Sequence, residues 1–312
     1  MDKEHLRDYQ LSTFLYCLFL LGSFSYSQEP KVFSWADFEL NGKVKSSLVI
    51  TDYGKESFEF NEQGLLTKGT TQYNGTDYDV SYYKYVNGLL KEKRLEVYRE
   101  DSLDRNTSIA NIYRIDTVLN KIVAEKIYSY QNDFLEQYQY FYGAEGQLEK
   151  IRRMNNEGID ETIVVYDSIK GEQTRTYILN GTLQKSVRTS HKKQKEGNWS
   201  NVILEKEYLN GEPLKAFERE LDTLGKVRKE QQFSYDRKKA TFVMQAELLF
   251  EYDEQGLLIK KTTKANNQVS KEEYIYQLDG HKPANWIKKI MTPQNSYTTR
   301  KILYYTETPA KE

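Results

Sequence analysis

Cysteine is almost absent from this sequence: Cys17 is the only one in 312 residues, and it lies within an apolar N-terminal run. If that run is a signal peptide that is removed on export, the mature chain contains no cysteine. This excludes disulfide bonds, thiol chemistry and cysteine-ligated metals in the mature protein. A secreted chain without disulfides is more typical of a bacterial envelope than of a eukaryotic secreted domain.

Histidine is nearly as scarce, and only His191 and His281 would remain after export. Neither has a neighbouring Asp, Glu or His at the spacing of a metal site. The sequence also lacks a Gly-x-Ser-x-Gly nucleophile turn and a phosphate-binding glycine loop. Its carboxylate pairs, such as Glu272-Glu273, fit the solvated face of a strand better than an acid/base pair of a glycosidase. We therefore predict no catalytic residue, no cofactor and no metal.

An excess of charge of one sign is also missing, because 45 Lys and Arg residues are intermixed with 46 Asp and Glu residues. No basic stripe points to nucleic acid. Mean hydropathy is low at −0.78, but 26 Tyr, 13 Phe and 3 Trp are too many aromatics for a disordered chain. Only five Pro residues interrupt potential strands. This balance is typical of thin β-sheets with one packed and one solvated face.

The N-terminus has the pattern of a secretory signal peptide. The apolar run Leu11–Phe24 is followed by Ser25-Tyr26-Ser27, so small residues stand at −3 and −1 of a cleavage site after Ser27. A membrane-spanning helix needs about twenty apolar residues, and an internal core strand or helix is the alternative. We expect a signal peptide (1–27), an N-terminal edge segment (28–43), a single β-repeat domain (44–305) and a polar tail (306–312). The protein is then exported to the periplasm, the outer membrane or the cell exterior, with no membrane span after cleavage.

A hairpin unit recurs along the mature chain. Phe58–Lys68 reads FEFNEQGLLTK, and Phe250–Lys260 repeats it as FEYDEQGLLIK. Two aromatics two residues apart lie on one face of a strand, an Asp or Asn begins the turn, and Gly supplies the positive φ. Asn-Gly pairs such as Asn180-Gly181 favour type I′ hairpins. We predict structural turns at Gly64, Gly88, Gly146, Gly211, Gly225, Gly256, Gly280 and Asp253.

The pattern Tyr-x-Tyr-Asp-x-x-Gly-x-Leu-x-Lys resembles the YD repeats of RHS-type proteins. Over residues 40–305 the chain is similar to short exported YD-repeat proteins of Gram-negative bacteria, which are mostly uncharacterised. The resemblance implies an all-β fold, an elongated and twisted antiparallel β-meander built from repeated hairpins. It does not extend to toxin encapsulation, because this chain lacks the length of the large RHS proteins. We expect Phe33–Phe38 and Arg300–Tyr305 to cover or end the two edges of the sheet.

Two sets of residues are candidates for sites. Trp199 and Trp286 each follow an Asn, and each is either a structural corner over the sheet or an exposed platform that stacks on a sugar. Four hydroxyl residues follow Asp and precede an apolar residue, which resembles the acceptor sites of envelope O-glycosylation, although Asp-Ser and Asp-Thr also begin turns. These four are Ser102, Thr117, Ser168 and Thr223.

The sequence therefore favours an exported, non-catalytic β-repeat protein that serves as a binding or structural module of the cell envelope. Its expected partner is an envelope protein that pairs with an edge strand, or a glycan. The alternatives are a glycan-acting envelope enzyme and an outer-membrane-associated component. A lipid-facing β-barrel is disfavoured, because the second face of the strands carries Lys, Glu and Gln rather than an apolar band.

Overall fold

The computed structural model describes residues 31–118, 120–193 and 199–306, with the side chains of Lys193 and Trp199 left out. The predicted signal peptide, the tail beyond Thr306 and Gly197-Asn198 lie outside the described residues. Within them, no helix is long and apolar enough to cross a membrane.

The described residues form one antiparallel sheet of twenty strands, preceded by a short 3-10 helix at Trp35–Phe38. The strands are β1 (Val44–Thr51), β2 (Gly54–Phe60), β3 (Leu66–Gln72), β4 (Tyr78–Val86), β5 (Leu89–Arg99), β6 (Ser102–Asp116), β7 (Ile122–Ser129), β8 (Phe134–Tyr142), β9 (Leu148–Asn155), β10 (Gly158–Ile169), β11 (Glu172–Leu179), β12 (Thr182–Lys193), β13 (Trp199–Leu209), β14 (Glu212–Leu221), β15 (Val227–Asp236), β16 (Thr241–Tyr252), β17 (Leu258–Ala265), β18 (Gln268–Leu278), β19 (Trp286–Thr292) and β20 (Ser296–Tyr304).

The sheet closes on itself. Each strand pairs with the strand before it and the strand after it in the chain, and the first strand also pairs with the last. In that closing pair, Ser47 lies opposite Ile302 and Leu48 lies opposite Lys301. The fold is therefore a closed up-and-down β-barrel.

This closure corrects the predicted architecture. The all-β antiparallel meander of hairpins is confirmed, but the elongated open sheet is wrong. The predicted edge strand Arg300–Tyr305 falls largely in β20, which is paired on both sides, with β19 and β1. Phe33–Phe38 is not an edge strand either, since Trp35–Phe38 is a 3-10 helix and the segment has only one isolated bridge to the sheet, Ser34 to Leu65. Closure pairs the backbone groups that an open sheet would leave exposed, so there is no edge to protect.

The turns of the hairpin unit explain its sequence. The side-chain oxygen of Asn61 accepts hydrogen bonds from the backbone NH groups of Gln63 and Leu65, at 3.1 and 2.9 Å. Asp222 and Asp253 bond their own turns in the same way. Gly64 completes the first turn with φ +83°, a conformation that strains a residue with a Cβ.

Tyrosine hydroxyls tie adjacent hairpins together. Near the ends of four even-numbered strands, β4, β10, β16 and β18, a tyrosine donates to the carbonyl of the first residue of the preceding strand. Tyr85 donates to Leu66 at 2.7 Å, and Tyr276 donates to Leu258 at 2.9 Å. Tyr166 and Tyr252 repeat the contact, with the carbonyls of Leu148 and Val227. Phenylalanine would pack equally well but could not satisfy these carbonyls, which accounts for the choice of Tyr.

The two faces of the sheet differ in exposure. Val164 is 5% exposed, whereas its neighbour Val165 is 45% exposed. Ile275 is 58% exposed, although the tyrosines on either side of it are half-buried. Side chains converge on the concave side of a closed sheet and diverge on the convex side, so we assign the face of Val164, Tyr274 and Tyr276 to the inside. We call the face that carries these three residues the inner face, and the face that carries Val165 and Ile275 the outer face.

The inner face holds two apolar clusters. One runs across neighbouring strands from β7 to β12 and consists of Val123, Tyr142, Leu148, Val164, Tyr177 and Val187. The other forms where the N-terminal segment (Phe33–Leu40) packs on the wall near Val44, Phe60 and Leu66. Phe38 lies 4.4 Å from Phe58 between ring centroids, and the indole NH of Trp35 donates to the carbonyl of Val44 at 2.8 Å. The N-terminal segment therefore lines part of the inside of the ring.

Candidate functional site

Trp286 is a buried structural residue in this fold. It is 4% exposed, with its ring between the guanidinium of Arg300, 3.6 Å from the ring centroid, and Tyr276. Its indole NH donates to the carboxylate of Glu39 at 3.2 Å. A ring buried to this extent has no free face on which a sugar could stack. The backbone of Trp199 begins β13 opposite Lys193, and its side chain lies outside the described residues.

Arg300 joins the N-terminal segment to the barrel wall. Its guanidinium donates to the carbonyls of Phe38 and Glu39, at 3.1 and 3.3 Å. Burial lowers the pKa of Arg300 to about 10. Beside it, the side chain of Asn285 is fully buried, donates to the carbonyl of Asn41 at 2.9 Å and accepts from the NH of Asn41 at 2.7 Å. These polar groups are used to fix the segment in place.

The turn at Asp279 and Gly280 belongs to the same region. Asp279 accepts from the NH groups of His281 and Asn285, at 3.1 and 3.0 Å, and from the hydroxyl of Tyr304. Burial opposes ionisation of Asp279, but the hydrogen bonds from Tyr304 and the two NH groups outweigh it and lower the pKa of that carboxyl. The imidazole of His281 stacks on Tyr304 with 3.7 Å between ring centroids. His281 is thus part of a turn, and His191 lies exposed in β12.

The remaining predicted residues are distributed around the ring. Positive φ values are found at Gly64, Gly88, Gly146, Gly211, Gly225 and Gly256, each in a turn. The four hydroxyl residues proposed for O-glycosylation are all exposed: Ser102, Thr117, Ser168 and Thr223. The structure does not bring these groups together into one site.

A buried ionic row lies on the inner face of β12 to β15. The ammonium of Lys185 contacts Glu205, the guanidinium of Arg219 lies 3.9 Å from the other oxygen of Glu205, and Arg219 donates to Glu230 at 2.6 Å. The row has two cations and two anions, so its formal charge is zero. Side chains with at most 13% exposure lose their hydration, and alternation of charge compensates for that loss.

Another carboxylate on the inner face is held by neutral donors. Glu125 accepts from the amide of Asn111 at 2.8 Å and from the hydroxyls of Tyr113 and Tyr140, at 2.9 and 3.4 Å. Burial is the largest of the effects that raise the pKa of Tyr113 and Tyr140. The tyrosines therefore remain hydrogen-bond donors at neutral pH. In the described chain, no group of three His, Cys, Asp or Glu residues could hold a metal ion.

The outer face carries a partly exposed ionic row across the same part of the barrel. Lys192 pairs with Glu220 at 3.3 Å, Lys229 lies between Glu220 and Glu247 at 3.8 and 3.4 Å, and Lys264 pairs with Glu247 at 2.9 Å. The hydrogen bond from Lys264 lowers the pKa of Glu247.

A groove of about 560 Å³ lies on the outer face of β6, β7 and β8. We call it the β6–β8 groove. Its centre is Ala124, which stands between Arg114 on one neighbouring strand and Gln139 on the other. The next row places Lys126 between Ile112 and Gln137. The other lining residues are Asp116, Ile122 and Tyr128. Sequence analysis missed this group because its members meet only through strand pairing.

No protein-family model and no curated protein matches the chain. Among solved structures it is similar to a porin-like protein from Bacteroides uniformis, with 8% identity over 83% of this chain and 96% of that chain, at a TM-score of 0.35. A porin-like protein from Bacteroides vulgatus matches with 8% identity over 85% of this chain and 99% of that chain, at a TM-score of 0.27. At scores this low the likeness carries no inference about function.

The resemblance to YD-repeat proteins is wrong. The twenty strands close into a ring instead of extending as a repeat, and no family model supports membership. The residues behind the resemblance have a local explanation, because Asx-x-x-Gly turns and tyrosine-to-carbonyl bonds serve any hairpin meander.

Proposed function

We propose that the protein is an exported, non-catalytic β-barrel of the cell envelope that binds a ligand. It associates with the outer membrane at its surface and does not insert into the bilayer. Both the apolar N-terminal run of the sequence and the closed sheet agree with an envelope protein.

The observation that carries this proposal is the ionic row on the outer face. The chain of contacts from Lys192 to Lys264 spans strands β12 to β17. A transmembrane barrel carries an apolar outward band, in which a Lys or Arg costs about 2–4 kcal/mol at the bilayer midplane and less toward the interfaces. The outer face is therefore suited to water.

Two further features support binding over catalysis. The polar groups on the inside are engaged in the fold: Arg300 bonds backbone carbonyls, and Asp279 bonds its own turn. The β6–β8 groove, in contrast, has the size of a small-molecule site.

Fractionation of a Gram-negative cell that expresses the full chain tests the proposal. We expect the envelope fraction to contain a chain that begins at Gln28, released from membranes by urea without detergent. Retention in the cytoplasm would refute export, and release only by detergent would refute the peripheral association. Cleavage of a saccharide by the purified protein would refute the non-catalytic assignment.

A further inference from the structure

We propose that the β6–β8 groove binds a short acidic saccharide, with Arg114 and Lys126 holding its carboxylates. This inference rests on the proposed binding function and names its ligand class. An acidic saccharide combines carboxylates, hydroxyl groups and an apolar C–H face, and the groove offers a partner for each.

Two unpaired cations provide the charge complementarity. Within the described residues, the side chains of Arg114 and Lys126 make no ion pair and no hydrogen bond, although both line the groove. On nearby β9, by contrast, Lys150 and Arg152 both pair with Glu161, at 3.6 and 2.7 Å. The guanidinium of Arg114 can hold a carboxylate through two parallel hydrogen bonds, and Lys126 adds a second point charge.

The single acid of the groove does not neutralise these cations. Asp116 lies two residues from Arg114 on the same face, and its carboxylate accepts the NH of Val118 at 3.0 Å. The groove thus has two cations and one anion among its lining residues, and the anion is oriented toward the turn. The excess of positive charge among the lining residues favours an anionic ligand.

Amide groups and a small residue complete the groove. Gln137 and Gln139 stand two residues apart on β8, so their side chains project in parallel. Each amide offers donors and an acceptor, which suits neighbouring hydroxyls of a sugar. Ala124 forms a low floor between Arg114 and Gln139, whose strands are separated by about 10 Å, twice the usual strand spacing. That space accommodates the C–H face of a sugar ring.

Calorimetric titration of the purified protein with tetragalacturonate tests the inference, with galactotetraose as the uncharged comparison and tetraglutamate as a peptide of equal charge. We expect saturable binding of tetragalacturonate only. Arg114→Gln should weaken it at least tenfold, and Ala124→Phe should abolish it by filling the floor. Lys150→Gln is the matched control on the same face and should leave affinity within twofold.

Three results would overturn the inference: no binding of tetragalacturonate, equal binding of galactotetraose or tetraglutamate, or equal weakening by Arg114→Gln and Lys150→Gln. If Ala124→Phe does not fold, Arg114→Gln alone decides the matter. Mass spectrometry of the saccharide after titration separates the two proposals. Cleaved saccharide contradicts the non-catalytic function, whereas intact but unbound saccharide contradicts only the groove.

Discussion

The guanidinium of Arg300 lies 3.6 Å from the ring centroid of Trp286, and both side chains also hold the N-terminal segment. Arg300 donates to the carbonyls of Phe38 and Glu39, while Trp286 donates to the carboxylate of Glu39. The neighbouring strands β19 and β20 thus both bind the C-terminal end of the N-terminal segment. The pair is an attachment point between the chain's N-terminal part and the barrel.

Arg300→Met should weaken this attachment. The variant keeps a long apolar side chain but loses the two bonds to the carbonyls, and we expect about 2 kcal/mol less free energy of unfolding. Urea denaturation measures that loss, and limited proteolysis should reveal earlier cleavage within residues 33–43. Lys301→Met is the control, because Lys301 points outward and is exposed. An equal loss in both variants would mean that the contacts of Arg300 are not responsible.

Gly64→Ala should destabilise the protein more than Gly88→Ala. Both glycines have positive φ, +83° and +75°, which costs an alanine about 1–2 kcal/mol. At Gly64 the added Cβ would also lie 2.6 Å from the indole of Trp35, whereas at Gly88 it meets nothing within 4 Å. We expect the Gly64 variant to lose roughly a further 1–3 kcal/mol from this overlap. Thermal unfolding of both variants measures the difference.

The Trp35→Ala background provides the internal check on that comparison. With the indole removed, the two glycine substitutions should cost the same. A difference that persists in this background would show that the overlap with Trp35 is not its cause.

Alkaline pH should destabilise the barrel from about pH 10 upward. Burial raises the pKa of Tyr98 and Tyr304 to about 12, from the usual 10.0 that the unfolded chain retains. Groups with a raised folded pKa contribute stability that is complete below pH 10 and is lost as the pH rises through 12. Burial also raises the pKa of nine further tyrosines, which are Tyr73, Tyr83, Tyr85, Tyr113, Tyr138, Tyr140, Tyr252, Tyr276 and Tyr305.

Arg300 acts in the opposite direction, because its folded pKa is lowered and its deprotonation relieves a buried charge. One arginine does not outweigh this many tyrosines, so the net effect of raising the pH is a loss of folding stability. Urea midpoints at pH 8 and pH 11 measure it, and Tyr304→Phe should reduce the dependence on pH. A midpoint that stays constant or rises over this range would contradict the account.

Much of the fold could be predicted from the sequence, because its signals are local. The alternation of apolar and polar residues, the Asn61 and Asp253 turns and the Asn-Gly pairs each involve a few adjacent residues. Ring closure could not be predicted in this way, since it depends on the twist and coil accumulated over all the strands. One signal did point to it: Val44–Thr51 lacks the Pro and the dense charge that usually protect an edge strand.

The β6–β8 groove and the attachment at Arg300 could not be predicted from the sequence, for a related reason. Arg114, Ala124 and Gln139 become neighbours only through the register of three strands. Arg300 and Phe38 are 262 residues apart in the sequence, and only closure brings them together. The sequence marks Trp286 as a ring that could stack on a sugar, but its burial depends on that same non-local contact.

Cross-linking of β1 to β20 is the most direct test that the sheet closes into a ring. Residues 28–312 contain no cysteine, so Leu48→Cys/Lys301→Cys introduces the only two thiols, on directly opposed residues of β1 and β20. The control is Leu48→Cys/Lys150→Cys, whose second thiol is on β9. With a short bifunctional thiol reagent, we predict efficient cross-linking within one molecule for the first pair and little for the control. Equal yields for the two pairs, or cross-links formed only between molecules, would contradict a closed ring.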